Sequence, residues 1–206
     1  MLNPYRAGFN AFKRELSVQD EAKMRSICVF CGSRTGSDPR YQVLAEQTGR
    51  LIARAGLRLV YGGAEAGLMG VTARGALAEG GEVLGVIPEF LIPVEGAQEG
   101  AELRITATMA SRKAIMVEEA DAFLILPGGA GTLEEIFDMI MLRQLGRHGK
   151  PAAFLDQAYW GPLDQLLRHV VSEGFTRPGV LKDVSFHEDA GDALAALKAA
   201  CAGQRA

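Results

Sequence analysis

The sequence predicts an α/β fold: a single domain built on a doubly wound parallel sheet flanked by helices. Three observations carry that reading. From residue 25 onward, short β-rich runs alternate with helical patterns. The runs ICVF and AFLIL are apolar on both faces, as strands covered by helices on each side must be. Glycine gathers after the strands, at the end where open α/β sheets bind their ligands.

Strands are expected at Ser26–Cys31, Leu57–Tyr61, Glu82–Ile87, Ala122–Leu126, Ala152–Leu155 and Val184–His187. Helical patterns fill 40–55, 68–79, 109–120, 132–146, 162–173 and 190–201. Residues 1–24 fall outside the alternation and are read as an N-terminal extension; the domain runs from 25 to 206. With 206 residues, 48% of them apolar and 23% charged, the chain can bury one ordinary core. No internal repeat or low-complexity linker divides it.

A net charge of −3 gives no electrostatic footprint for nucleic acid or an anionic membrane. A small anionic ligand held by a local cluster of bases remains compatible with it. No apolar run is long enough to span a bilayer, and the N-terminus has no signal-like apolar core, so a cytoplasmic protein is expected. Three cysteines, an odd number, argue against a disulfide framework. Cys28 and Cys31 form a CxxC, but inside an apolar strand. Zinc would need two further ligands that His148, His169 and His187 do not obviously supply, so the pair is read as buried thiols and no metal is expected.

The chemistry lies in the loops after the strands: CGSRTGSDP, GGAEAGLMG, IPEFLIPVEG and PGGAGTLEE. None has the dinucleotide fingerprint or the P-loop pattern. PGGAGT still has the parts of an anion site, since glycines let the backbone approach closely and helix N-terminal amides then face the anion. One such loop alone would be a tight turn; two at one sheet edge point to a ligand. Thr132 and Glu135 fit a capping box, with Thr132 as N-cap and Glu134 and Glu135 in the first turn. Leu133, Ile136, Phe137, Ile140, Met141 and Leu145 form the apolar stripe of the helix that follows. In TMASRKAIMVEEA, Met109, Met116, Val117 and Ala120 share a face; Lys113 falls on it and Arg112 at its edge. Such bases either snorkel to the surface or find an anionic partner, a bound phosphate or Glu135.

These motifs resemble the LONELY GUY (LOG) family of cytokinin riboside 5′-monophosphate phosphoribohydrolases, whose members are often mislabelled lysine decarboxylases. Pro127 to Glu135 matches the family's P-G-G-x-G-T-x-x-E without departure, and Met109, Arg112, Lys113 and Met116 match its M-x-x-R-K-x-x-M. FCGSRTGSDPRY and GGAEAGLMG resemble its first two loops, with Ala64 where a third glycine is frequent.

The resemblance implies a Rossmann-like scaffold that hydrolyses the N-glycosidic bond of adenosine 5′-monophosphates, N6-modified or plain, without metal or organic cofactor. By analogy Arg112 and Glu135 are the catalytic pair. Substrate contacts are expected from Glu95, Met109, Lys113, Gly128, Gly129, Ala130, Gly131 and Thr132, with Gly32, Ser33 and Gly63 from the earlier loops. A homodimer or larger homo-oligomer is implied as well. The rival reading is a non-catalytic nucleotide or cofactor carrier on the same scaffold. A pyridoxal decarboxylase would need a Schiff-base lysine in its own pocket, which these lysines do not suggest.

Overall fold

The computed structural model describes residues 24–203; the expected extension falls, but for Met24, outside the described residues. Seven parallel strands form one sheet in the order β4-β3-β2-β1-β5-β6-β7. They are β1 (Ser26–Phe30), β2 (Arg58–Tyr61), β3 (Val83–Pro88), β4 (Glu102–Thr106), β5 (Ala122–Ile125), β6 (Ala152–Leu155) and β7 (Val184–His187). The helices are α1 (Arg40–Arg54), α2 (Gly67–Ala78), the short α3 (Ile92–Glu95), α4 (Met109–Glu119), α5 (Ala130–Gln144), α6 (Gln157–Ser172) and α7 (Ala190–Gly203).

Strand alternation divides the core in two. Ile27, Val29 and Leu124 face one layer with Ile52 of α1, Leu68 of α2 and Leu197 of α7. Cys28, Phe30 and Phe123 face the other, with Met116 of α4, Ile136 of α5 and Trp160 of α6. Cys28 and Cys31 therefore sit in opposite layers, both buried and free. The sheet grows outward from β1 to β4, then α4 carries the chain back to β5 beside β1, in register from Ile27↔Ala122 to Phe30↔Ile125. That reversal opens a crevice beyond the carboxyl ends of β1 and β5.

Four expectations change. The sequence reading missed β4: Glu102, Leu103 and Ile105 are exposed, so the run ELRIT lacks the apolar signature of the covered strands and pairs along one edge only. Helix α6 begins at Gln157 rather than 162, because Asp156 accepts a hydrogen bond from Tyr159 N at 3.0 Å and caps it; Pro162 merely forgoes one helical bond. The apolar stripe of α5 is really two faces: Ile136 and Ile140 are buried, while Phe137, Met141 and Leu145 stay exposed. On α4 the order is reversed, for Arg112 is buried and Lys113 flanks it, ion-paired to Glu134 and Asp138.

Helices α1 and α2 cross almost in backbone contact. A Cβ on Gly49 would lie 2.0 Å from the Thr72 carbonyl oxygen, and one on Gly75 2.5 Å from that of Glu46. Overpacking of this kind costs about 1–3 kcal/mol. Gly49→Ala should accordingly lower the urea midpoint with little change in slope, and an unchanged midpoint would refute the close crossing.

Candidate active site

The crevice holds a cavity of about 490 Å³, walled by the loops after β1 and β5, the start of α2, the segment 91–95, α4 and one residue of α6. Its roof and floor come from different physics.

The roof is the start of α5. Gly129 is its N-cap with extended backbone, and no side chain caps it. The first backbone bond is Leu133 N to Gly129 O at 3.0 Å, so the amides of Ala130, Gly131 and Thr132 have no partner within the helix. By contrast α4 carries a reciprocal capping box between Thr108 and Ser111. The expected capping box at Thr132 and Glu135 is thus corrected. Thr132 is the third helical residue and Glu135 the sixth, because the N-cap is Gly129, three residues ahead of the expected one. Neither Glu134 nor Glu135 lies in the first turn, so the dipole explanation for them falls too. Gly128 is obligatory: its Cβ would sit 2.1 Å from Thr132 Oγ1. Gly32 N donates to Pro127 O at 3.1 Å and Leu68 N to Gly32 O at 3.0 Å, which ties the three loops together.

The floor is an ion pair. Arg112 Nη1 lies 3.4 Å from Glu135 Oε1, and the residues are only 5% and 7% exposed. The guanidinium also donates from Nε to Val86 O at 3.0 Å and from Nη2 to Gly62 O at 3.2 Å. A Cβ at 62 would be 1.9 Å from Nη2, so glycine there is what lets the arginine reach the carbonyl. Burial raises the Glu135 carboxyl to about 7, against the opposing pull of Arg112, with Glu134 and Glu95 adding to the rise.

Glu95, Met109, Gly128, Gly129, Ala130, Gly131, Thr132, Gly32 and Ser33 line the cavity together with the pair. Lys113 and Gly63 do not: Lys113 is held at the surface by its carboxylates, and Gly63, at φ +79, turns the chain where a Cβ would meet Ile87 at 2.8 Å. Sequence reasoning missed Tyr41, Arg34 and Tyr159 on the wall. The Tyr159 hydroxyl donates to Gly128 O at 2.6 Å, fixing the roof from α6. Its one sequence signal is position, just after a strand on the ligand edge. Among the described residues no group of three His, Cys, Asp or Glu could hold a metal, no lysine lines the cavity, and no helix is long and apolar enough to cross a membrane.

A family model described as "Possible lysine decarboxylase" matches residues 69–197. A cytokinin riboside 5′-monophosphate phosphoribohydrolase of Rhodococcoides fascians is 45% identical over 186 residues, 89% of this chain and 94% of that protein. One from Arabidopsis thaliana is 43% identical over 162 residues, 78% of this chain and 75% of its own. Among solved structures, the molybdenum cofactor binding protein of Rippkaea orientalis superposes with a TM-score of 0.66 at 23% identity, covering 86% of this chain and 98% of that one. At that identity the likeness concerns the fold.

The raised carboxyl gives a stability prediction. Between pH 4.5 and about 7 the folded protein keeps a proton on Glu135 that the unfolded chain has shed, so this group's contribution to stability falls as pH rises through that window. Glu135→Gln, neutral throughout, should gain on the wild type by up to about 3 kcal/mol from pH 4.5 to pH 8. Melting temperatures of both proteins at the two pH values check this; a constant difference would show that Glu135 titrates normally.

Proposed function

The chain belongs to the LONELY GUY (LOG) family of cytokinin riboside 5′-monophosphate phosphoribohydrolases, and on that premise we propose how its cavity carries out the hydrolysis. Water adds to C1′ of the nucleotide, the bond from C1′ to the purine nitrogen breaks, and free base and ribose 5-phosphate leave. The observation that carries the assignment of roles is the buried Arg112–Glu135 pair beneath an uncapped helix N-terminus.

The nucleotide lies with its phosphate at the amides of Ala130 to Thr132 and its ribose over Glu135. Cleavage passes through an oxocarbenium-like sugar, which an ionised carboxylate in a dry site stabilises far better than water does. Glu135, with a carboxyl poised near neutrality, also takes a proton from the attacking water. Arg112 is spoken for by two carbonyls and the carboxylate, so its part is to hold Glu135 in place and favour its charge. Glu95 and Met109, which also line the cavity, meet the sugar or base. The decarboxylase description has no support in this cavity, since a pyridoxal enzyme needs a lysine there. The exposed ridge of Phe137, Met141 and Leu145, at i, i+4 and i+8 of α5, supports a homodimer through that helix.

Purified protein incubated with isopentenyladenosine monophosphate, and in parallel with AMP, should release free base and ribose 5-phosphate. Folded protein that releases no base from either would overturn the hydrolase reading. Glu135→Gln should lower kcat by at least about 100-fold. In the wild type kcat/KM should rise as pH passes through about 7, where Glu135 ionises. A flat profile between pH 6 and 8 would remove the carboxylate from the chemistry.

A further inference from the structure

The charges on the cavity wall do not balance for a phosphate. Its lining contains two arginines and two glutamates: Arg34, Arg112, Glu95 and Glu135. Arg112 is committed, with Nε on Val86 O, Nη2 on Gly62 O and Nη1 on Glu135, and it is buried on the floor. The nearby cations off the wall are committed as well: Arg40 to Asp38 and Asp156, Lys113 to Glu134 and Asp138. Arg34 alone among the lining bases forms no ion pair or side-chain hydrogen bond with the described residues, and it is exposed.

Its backbone is fixed where a phosphate would need it. Gly67, at φ +60, brings the start of α2 against it, so that a Cβ there would lie 2.4 Å from Arg34 N. On the other side Gly32 packs 3.4 Å, measured from an added Cβ, from the Cα of Gly128 at the foot of the α5 amides. Arg34 thus emerges from a rigid loop beside the uncapped helix start. Resting on the nucleotide-hydrolase reading above, we propose that Arg34 supplies the counter-charge for the 5′-phosphate and is the residue by which this enzyme tells a nucleoside monophosphate from a nucleoside. Amides and a threonine hydroxyl place phosphate oxygens, but two negative charges brought into a cavity that already holds Glu95 and Glu135 need a cation. A guanidinium that no carboxylate of the described residues occupies provides it in bidentate form.

The test uses the full chain and two readouts. Calorimetric binding of ribose 5-phosphate and of ribose is compared for wild type, Arg34→Ala and Arg34→Lys. Values of kcat/KM are compared for AMP and adenosine. Arg34→Ala should weaken ribose 5-phosphate binding and kcat/KM for AMP by about 10- to 100-fold, leave adenosine nearly unchanged, and keep the wild-type melting temperature. Arg34→Lys, keeping the charge without the fork, should recover part of the loss. Equal affinity of wild type and Arg34→Ala for ribose 5-phosphate would overturn the proposal. So would an equal loss on AMP and adenosine, which would place Arg34 on the base. Because sugar-phosphate binding needs no turnover, wild type that releases no base while Arg34→Ala still loses affinity would defeat the hydrolase reading and leave Arg34 standing.

Discussion

The Arg112–Glu135 pair is the constraint around which the rest of this sheet edge is arranged. Two opposite charges taken from water cost several kcal/mol each, and their attraction offsets that only when the remaining donors are satisfied. Here the satisfaction comes from backbone: the carbonyls of Gly62 and Val86, at the ends of β2 and β3, take two of the guanidinium's N–H groups. Helix α4 must therefore cross the sheet at the height that brings Arg112 to those ends, and residue 62 must lack a Cβ. The carboxylate reaches the same point from the second turn of α5, on the neighbouring side of the switch between β1 and β5.

The roof obeys a complementary rule. Two helices settle their first turns with side chains, α4 through Thr108 and Ser111 and α6 through Asp156, whereas α1 and α2 have no side-chain cap. Helix α5 has none either, and its first amides are left to the cavity. That leaves positive dipole at the roof of the cavity and a carboxylate on its floor, the two features that the proposed nucleotide pose uses. Tyr159 holds the junction between them by fixing the Gly128 carbonyl.

Much of this was legible in the sequence, and what was not has physical causes. The layered fold could be read because β1 and β5 are apolar on both faces and their helices keep a helical period. β4 could not, since three of its side chains remain exposed at an edge. PGGAGTLEE showed an anion loop followed by acids, yet the register of the helix start was misjudged. A threonine and a glutamate three apart look like a cap wherever they occur, and only the backbone shows Gly129 entering first. Which of Arg112 and Lys113 points inward hinged on one residue's rotation about α4, finer than a periodic pattern resolves. Tyr159 and Gly62 were silent because their partners lie 31 and 50 residues away in the chain.

The seat of Arg112 also bears on how the molecule assembles. Its guanidinium has no sheltered partner until β2 and β3 have paired and α5 has docked against β1, contacts that span long stretches of a parallel sheet. A floor sealed without those contacts would bury a bare cation, at a cost of several kcal/mol. The pair therefore penalises any compact arrangement that mispairs the central strands, since such a chain has no sheltered partner for the charge.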